Sequence, residues 1–120
     1  MARVLLIDDD ADVREILRGF LEVAEHSVVE AENGTIGNDL LENNSFDIVI
    51  TDIIMHGGEG LSTIMRAKRL KPEMKVIAIS GVASKKDVLE YAQDAGADMV
   101  LEKPISMGIF NDAVERCLNA

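Results

Sequence analysis

Asp8, Asp9 and Asp10 follow directly on the apolar run Val4-Leu5-Leu6-Ile7, and Asp52 closes a second run, Phe46-Asp47-Ile48-Val49-Ile50-Thr51. Both runs carry β-branched residues and have the length of buried strands. Parallel neighbouring strands with these acidic ends would set like charges within a few ångströms of each other. That is costly unless a cation sits between them or one carboxyl is protonated. Oxygen-only ligands suit a hard ion such as Mg²⁺. A carboxylate beside such an ion is placed to accept a phosphoryl group.

Other chemistry-bearing residues close other runs. Glu32 and Asn33 follow Ser27–Ala31, Gly81 follows the Ser80 that ends Lys75–Ser80, and Glu102-Lys103-Pro104 follow Asp98–Leu101. In a doubly wound sheet, ligands bind outside the C-terminal ends of the strands, at the switch point in strand order. Carboxylates, a hydroxyl and a lysine on one rim are the set that phosphoryl transfer needs. Cations neutralise the equatorial oxygens, the hydroxyl and backbone N–H groups donate to them, and an aspartate attacks in line.

The elements that position this rim are legible in the hydrophobic pattern. Five apolar runs (Arg3–Ile7, Ser27–Ala31, Asp47–Thr51, Lys75–Ser80, Asp98–Leu101) alternate with helical stretches. Such alternation predicts βαβ units and a doubly wound α/β sandwich on a parallel sheet. Val13, Ile16, Leu17, Phe20 and Leu21 form an apolar helical stripe. The second helix, near Asn33–Asn43, is weakened by Gly34 and Gly37 and offers Ile36, Leu40 and Leu41. The third follows Gly60 with Leu61, Ile64 and Met65 and ends before Pro72. The fourth, Ser84–Ala95, stops at Gly96. The fifth follows Pro104 with Met107, Phe110, Val114, Cys117 and Leu118.

A chain of 120 residues with 48% hydrophobic residues reads as one domain over 1–120, with no output domain. Its net charge of −10 argues against nucleic-acid or membrane-surface binding. Cys117 is the only cysteine and has core company in Met107, Phe110 and Val114, which predicts a buried thiol. The first apolar run is too short for a signal peptide, and no run spans a bilayer. A reducing, cytoplasmic setting is the expectation.

Taken together, Leu6-Ile7-Asp8-Asp9-Asp10, Thr51-Asp52-Ile53-Ile54-Met55, Ile79-Ser80-Gly81, Gly96-Ala97-Asp98 and Lys103-Pro104 resemble the receiver domain of two-component response regulators, across nearly the whole chain. The resemblance implies a flavodoxin-like (βα)5 fold with a five-stranded parallel sheet in the order 2-1-3-4-5. It implies two-component phosphorelay signalling, with Asp52 accepting phosphate from a histidine kinase or histidine phosphotransfer protein. Asp9, Asp52 and the backbone carbonyl of Ile54 would bind Mg²⁺, with Asp8 holding the metal through water. Ser80 would bond a phosphoryl oxygen, Lys103 would pair with the phosphate, and the Lys103–Pro104 bond would be cis. The domain would take part in its own phosphorylation without being a turnover enzyme. Its downstream partner, an effector protein or linked output domain, would be engaged through helix 4, strand 5 and helix 5, with a phosphorylation-dependent homodimer as a further form.

Departures from the family pattern are specific. His56, followed by Gly57-Gly58, stands where Pro is usual, so the loop is expected to be looser. Glu59 stands where Asp is commoner, and Val100 replaces the switch aromatic three residues before the lysine. The usual aromatic relay is therefore absent, while the phosphorylation chemistry is untouched. Ile54 and Val82 flank the approach of hydrolytic water in the family; both are apolar here, which predicts slow self-dephosphorylation. The output face would carry Met99 or Val100, Ile109 and Ala113.

Plainer roles compete with these. Asp8 and Asp9 could cap the first helix, although Asp10 or Asp12 is available for that. Ser80 could be a turn hydroxyl and Lys103 a surface partner of Glu102. His56 is read as a solvated loop histidine, since Mg²⁺ prefers oxygen. Two other functions fit part of the pattern. Asp8-Asp9-Asp10 contains the Asp-x-Asp of phosphatases resembling the haloacid dehalogenase superfamily, with Asp8 as nucleophile and Asp52 left without a role. A receiver-like module binding partners without phosphorylation is the other.

Overall fold

Strands and helices alternate along the computed structural model of the chain, which describes residues 1–55, 60–81 and 86–120. The elements are β1 (Arg3–Ile7), α1 (Ala11–Val23), β2 (Ser27–Ala31), α2 (Gly34–Asn43), β3 (Ile48–Asp52), α3 (Gly60–Leu70), β4 (Lys75–Ser80), α4 (Lys86–Ala95), β5 (Met99–Glu102) and α5 (Met107–Leu118). All strand pairs are parallel, and the sheet order is β2-β1-β3-β4-β5. The chain therefore adopts the doubly wound, five-stranded α/β sandwich that the alternation predicts.

Side-chain alternation along the strands builds two cores. Val4, Leu6, Ile48, Ile50, Ile77 and Ile79 point to one face and pack with Leu17 and Leu21 of α1 and Phe110, Val114 and Cys117 of α5. Leu5, Ile7, Val49, Val76 and Ala78 point to the other, under Leu41 of α2, Ile64 and Ala67 of α3, and Ala92 of α4. The central strands are buried on both faces, which is why they read as continuous apolar runs and not as alternating ones. Cys117 is buried and free, as its neighbours predict.

Two strands start one residue later than their apolar runs predict, for one reason. Asp47 and Asp98 each donate their N–H to the neighbouring strand, to Arg3 O at 2.9 Å and Val76 O at 2.8 Å. Each also accepts that neighbour's N–H on its carboxylate, from Arg3 and Val76, both at 2.8 Å. The acid thus caps the start of the adjacent strand instead of continuing the ladder. Helix starts follow the same logic. Asp10 caps α1 by accepting from the Asp12 and Val13 N–H groups, Asn33 caps α2, and Ser106 caps α5.

Four apolar residues assigned to helix stripes turn outward: Ile16 is 55% exposed, Met65 49%, Met107 44% and Ile36 38%. Each lies at the side or the end of its stripe. Ala113, expected on the output face, is buried with Phe110, Val114 and Cys117 at helical spacing on the core side of α5. Ile109 is exposed, as expected. His56, Gly57, Gly58, Glu59, Val82 and the Ser84 start of the fourth helix lie outside the described residues.

Candidate functional site

Strand register brings the acidic ends together. β1 lies between β2 and β3, so the crevice at the C-terminal ends of β1 and β3 is the switch point of the sheet. Ile7 pairs with Thr51, which sets the next residues, Asp8 and Asp52, side by side. β4 follows with Asp52 opposite Ile79, and β5 with Ser80 opposite Glu102, so Lys103 leaves the sheet at the same rim.

Lys103 closes this cluster. Its Nζ lies 3.2 Å from Asp8 Oδ2 and 3.2 Å from Asp52 Oδ2. Both acids are buried, with side chains 1% and 6% exposed, while that of the lysine is 22% exposed. Asp9 lies toward solvent, and one carboxylate oxygen from each of Asp8, Asp9 and Asp52 falls within 4.8 Å of the others. The peptide bond from Lys103 to Pro104 is cis.

Burial, followed by the charge of Asp8, holds the Asp52 carboxyl above the usual carboxylate range; Lys103 and the Ile54 N–H pull the other way. Burial alone would depress Lys103, but the carboxylates of Asp52 and Asp8 outweigh it and raise its pKa above the ordinary lysine value. One ammonium therefore does not satisfy the two buried acids. A crowded, oxygen-only donor set with residual negative charge fits a hard divalent cation.

The remaining predicted residues divide. The Ile54 N–H donates to Asp52 Oδ1 at 3.3 Å, and its side chain is 57% exposed. Ser80 is fully buried, and its hydroxyl reaches the Leu101 carbonyl at 3.5 Å, a long contact across to β5. The structure thus brings Asp8, Asp9, Asp52 and Lys103 together and turns the Ser80 hydroxyl to the backbone of β5. Val100 is half-buried against the α2-α3-α4 core. Beside Lys103, an apolar groove of about 270 Å³ runs between α1 and the β5–α5 loop, lined by Val13, Ile16, Leu17, Pro104 and Ile105.

Arg14 is the site residue that the spacing does not reveal. Its Nη1 donates to the Asp8 carbonyl at 2.6 Å, and its Nε lies 3.4 Å from Glu30 Oε1. Nothing in the helical pattern separates it from a solvated arginine, because its partners come from the β1–α1 segment and β2.

The sequence matches the response regulator receiver domain family over residues 4–115. It is 33% identical to the response regulator receiver protein CpdR of Brucella abortus, over the whole of this chain and 99% of that one. It is 26% identical to a cyclic di-GMP phosphodiesterase of Thermotoga maritima, but there 96% of this chain spans only 30% of the relative's length. The crystal structure of a CheY-like receiver domain protein from Methanospirillum hungatei superposes with a TM-score of 0.92 at 28% identity, covering 99% of this chain and 94% of that one.

Proposed function

The chain belongs to the response regulator receiver domain family, a family of signalling domains, and on that premise we propose that Asp52 is its phosphoacceptor. The supporting observation is the convergence of Asp8, Asp9, Asp52 and Lys103 at the switch point of the sheet. In this reading the donor is a phosphohistidine on a histidine kinase or phosphotransfer protein. The Asp52 carboxylate oxygen attacks phosphorus in line, a P–O bond forms, the P–N bond breaks, and the histidine nitrogen keeps the electron pair.

Asp8, Asp9, Asp52 and the Ile54 carbonyl would hold Mg²⁺. The ion would supply positive charge to the phosphoryl oxygens and favour the ionised form of Asp52. Lys103 stands against Asp52 Oδ2 and would move its charge onto the phosphate once that oxygen is esterified. Ser80, the last residue of β4, would leave the Leu101 carbonyl of β5 for a phosphoryl oxygen. The long contact it gives up makes that exchange inexpensive.

Output is proposed at α4, β5 and α5. The relay cannot use an aromatic swing with Val100 at that position. Movement of Ser80, hydrogen-bonded to the β5 backbone at Leu101, is the available link. The domain would act as a phosphoacceptor with slow self-dephosphorylation, not as a turnover enzyme. The apolar groove beside Lys103 offers surface for a protein donor. A reducing compartment suits the free Cys117, and no described helix is long and apolar enough to cross a membrane.

Incubation with acetyl phosphate, with and without Mg²⁺, followed by intact mass and peptide mapping, tests this reading. A Mg²⁺-dependent phosphate on Asp52 that is absent from Asp52→Asn is expected. Label on Asp8 with rapid turnover would indicate the phosphatase chemistry. No label under any condition would leave a phosphorylation-independent binding module.

A further inference from the structure

The short β1–α1 segment that carries Asp8 and Asp9 is held from three sides. The Asp8 N–H donates to the Ala31 carbonyl on β2 at 3.2 Å. The Asp10 N–H turns back to Asp8 Oδ1 at 2.9 Å. The Asp8 carbonyl accepts the charged donor, Arg14 Nη1, at 2.6 Å. Arg14 is itself tied down: its side chain is 17% exposed, and Glu30 Oε1 lies 3.4 Å from its Nε. Glu30 is braced in turn by Arg18 Nη1 at 2.6 Å on its other oxygen.

We propose that Arg14 is a positioning residue for the Asp8–Asp9 pair. Its guanidinium clamps the Asp8 carbonyl to Glu30 of β2, so that the two carboxylates face a divalent cation already in place. The inference rests on the metal reading above. Crowded carboxylates push the segment open when no cation is bound, and a charge-assisted hydrogen bond to a buried carbonyl resists that opening. The planar fork of arginine reaches a carbonyl and a carboxylate at once, which an ammonium in the same place would not.

Two effects of Arg14 on cation binding have opposite signs. As a nearby positive charge it opposes the cation; as a clamp it pre-organises the ligands. Arg14 and Arg18 with Glu30 and Glu22 form a neutral cluster, which leaves the clamp dominant. Removing Arg14 should therefore weaken cation binding, whereas a purely electrostatic role would tighten it.

The test is Mg²⁺ titration by isothermal calorimetry of metal-free wild type, Arg14→Gln, Arg14→Lys and Glu30→Gln, with amide hydrogen exchange at Asp9 and Asp10. Arg14→Gln is expected to bind Mg²⁺ about tenfold more weakly, in the range usual for residues that orient metal ligands. Arg14→Lys should recover part of that loss, and exchange at Asp10 should quicken in Arg14→Gln before any metal is added. Wild-type or tighter affinity in Arg14→Gln, even with a lowered unfolding midpoint, would overturn the proposal. Should Arg14→Gln not fold, Glu30→Gln loosens the clamp while keeping the arginine, and unchanged affinity there would overturn it equally. A wild type that takes up no Mg²⁺ would instead overturn the metal reading, and this inference with it.

Discussion

Removing the ammonium from the site, as in Lys103→Met, should destabilise the metal-free protein in a way that acid repairs. Lys103 Nζ lies 3.2 Å from both Asp8 and Asp52. At an effective dielectric of about 20 each contact contributes roughly 5 kcal/mol of gross attraction, reduced by desolvation and by screening of the partly exposed lysine. Without the lysine two buried carboxylates face each other. The folded protein can escape that repulsion by binding a proton, which at pH 7 costs about 4 kcal/mol for an ordinary carboxylate at roughly 1.4 kcal/mol per pH unit. That cost is a ceiling on the repulsive part of the damage.

A loss of about 3 kcal/mol at pH 7 is expected, the lower end for breaking a buried pair. At pH 5 that ceiling drops to about 1.5 kcal/mol, so about half of the defect should vanish. The sign follows from linkage: the folded variant binds more protons than the unfolded chain, so its relative stability rises as pH falls. Urea denaturation in chelator, followed by far-UV circular dichroism because the chain has no Trp, measures both values. An equal loss at pH 7 and pH 5, or a loss below about 1 kcal/mol at pH 7, would show that the lysine does not hold this pair of charges.

Gly60 and Gly37 should respond differently to alanine. A Cβ on Gly60 would meet the Asp52 and Ile53 carbonyl oxygens at 2.4 Å, whereas on Gly37 it would meet the tip of Ile7 at 2.5 Å. Gly60→Ala should cost about 3 kcal/mol in chemical denaturation and perturb the Asp52 segment, and Gly37→Ala about 1 kcal/mol, because a side-chain tip yields and backbone does not. Ser80→Ala should change stability by less than about 1 kcal/mol, its contact being long. Phosphate uptake should persist while phosphorylation-induced amide shifts on β5 are lost, read by two-dimensional NMR. His26 accepts the Ala2 N–H on Nδ1 at 3.0 Å, and burial, then the N-terminal charge, lowers its pKa. The folded state therefore binds fewer protons there, and stability should fall as pH drops through about 6.5, a dependence that His26→Gln should remove.

The runs Val4–Ile7, Ile48–Thr51 and Val76–Ile79 are apolar on both faces, and that alone demands a sheet covered by helices on each side. The same pattern placed Asp8, Asp52, Ser80 and Lys103 at strand ends, since each apolar run gives way there to residues with polar side chains. The Asp47 and Asp98 boundaries escaped it, because a carboxylate that caps the neighbouring strand looks in sequence like the first residue of its own. Which helix residues lie at a stripe's margin was equally hidden: Ile16 and Met107 have the right period and still reach solvent.

Strand neighbours were a matter for tertiary structure. Asp8 and Asp52 are 44 residues apart, and only the adjacency of β1 and β3 in register makes them one site. The raised pKa of Asp52 comes from burial beside a second acid, a property of the assembled rim and not of either strand. Arg14 shows the same division. In sequence it is a helix arginine near an acidic loop; in the fold it holds the Asp8 carbonyl and Glu30 together. Local pattern decides which runs form the sheet's interior and which face of each helix turns to it, because it reflects each residue's own free energy of transfer. Which charges then meet depends on long-range pairing, and pairing is set by the packing of the whole sheet.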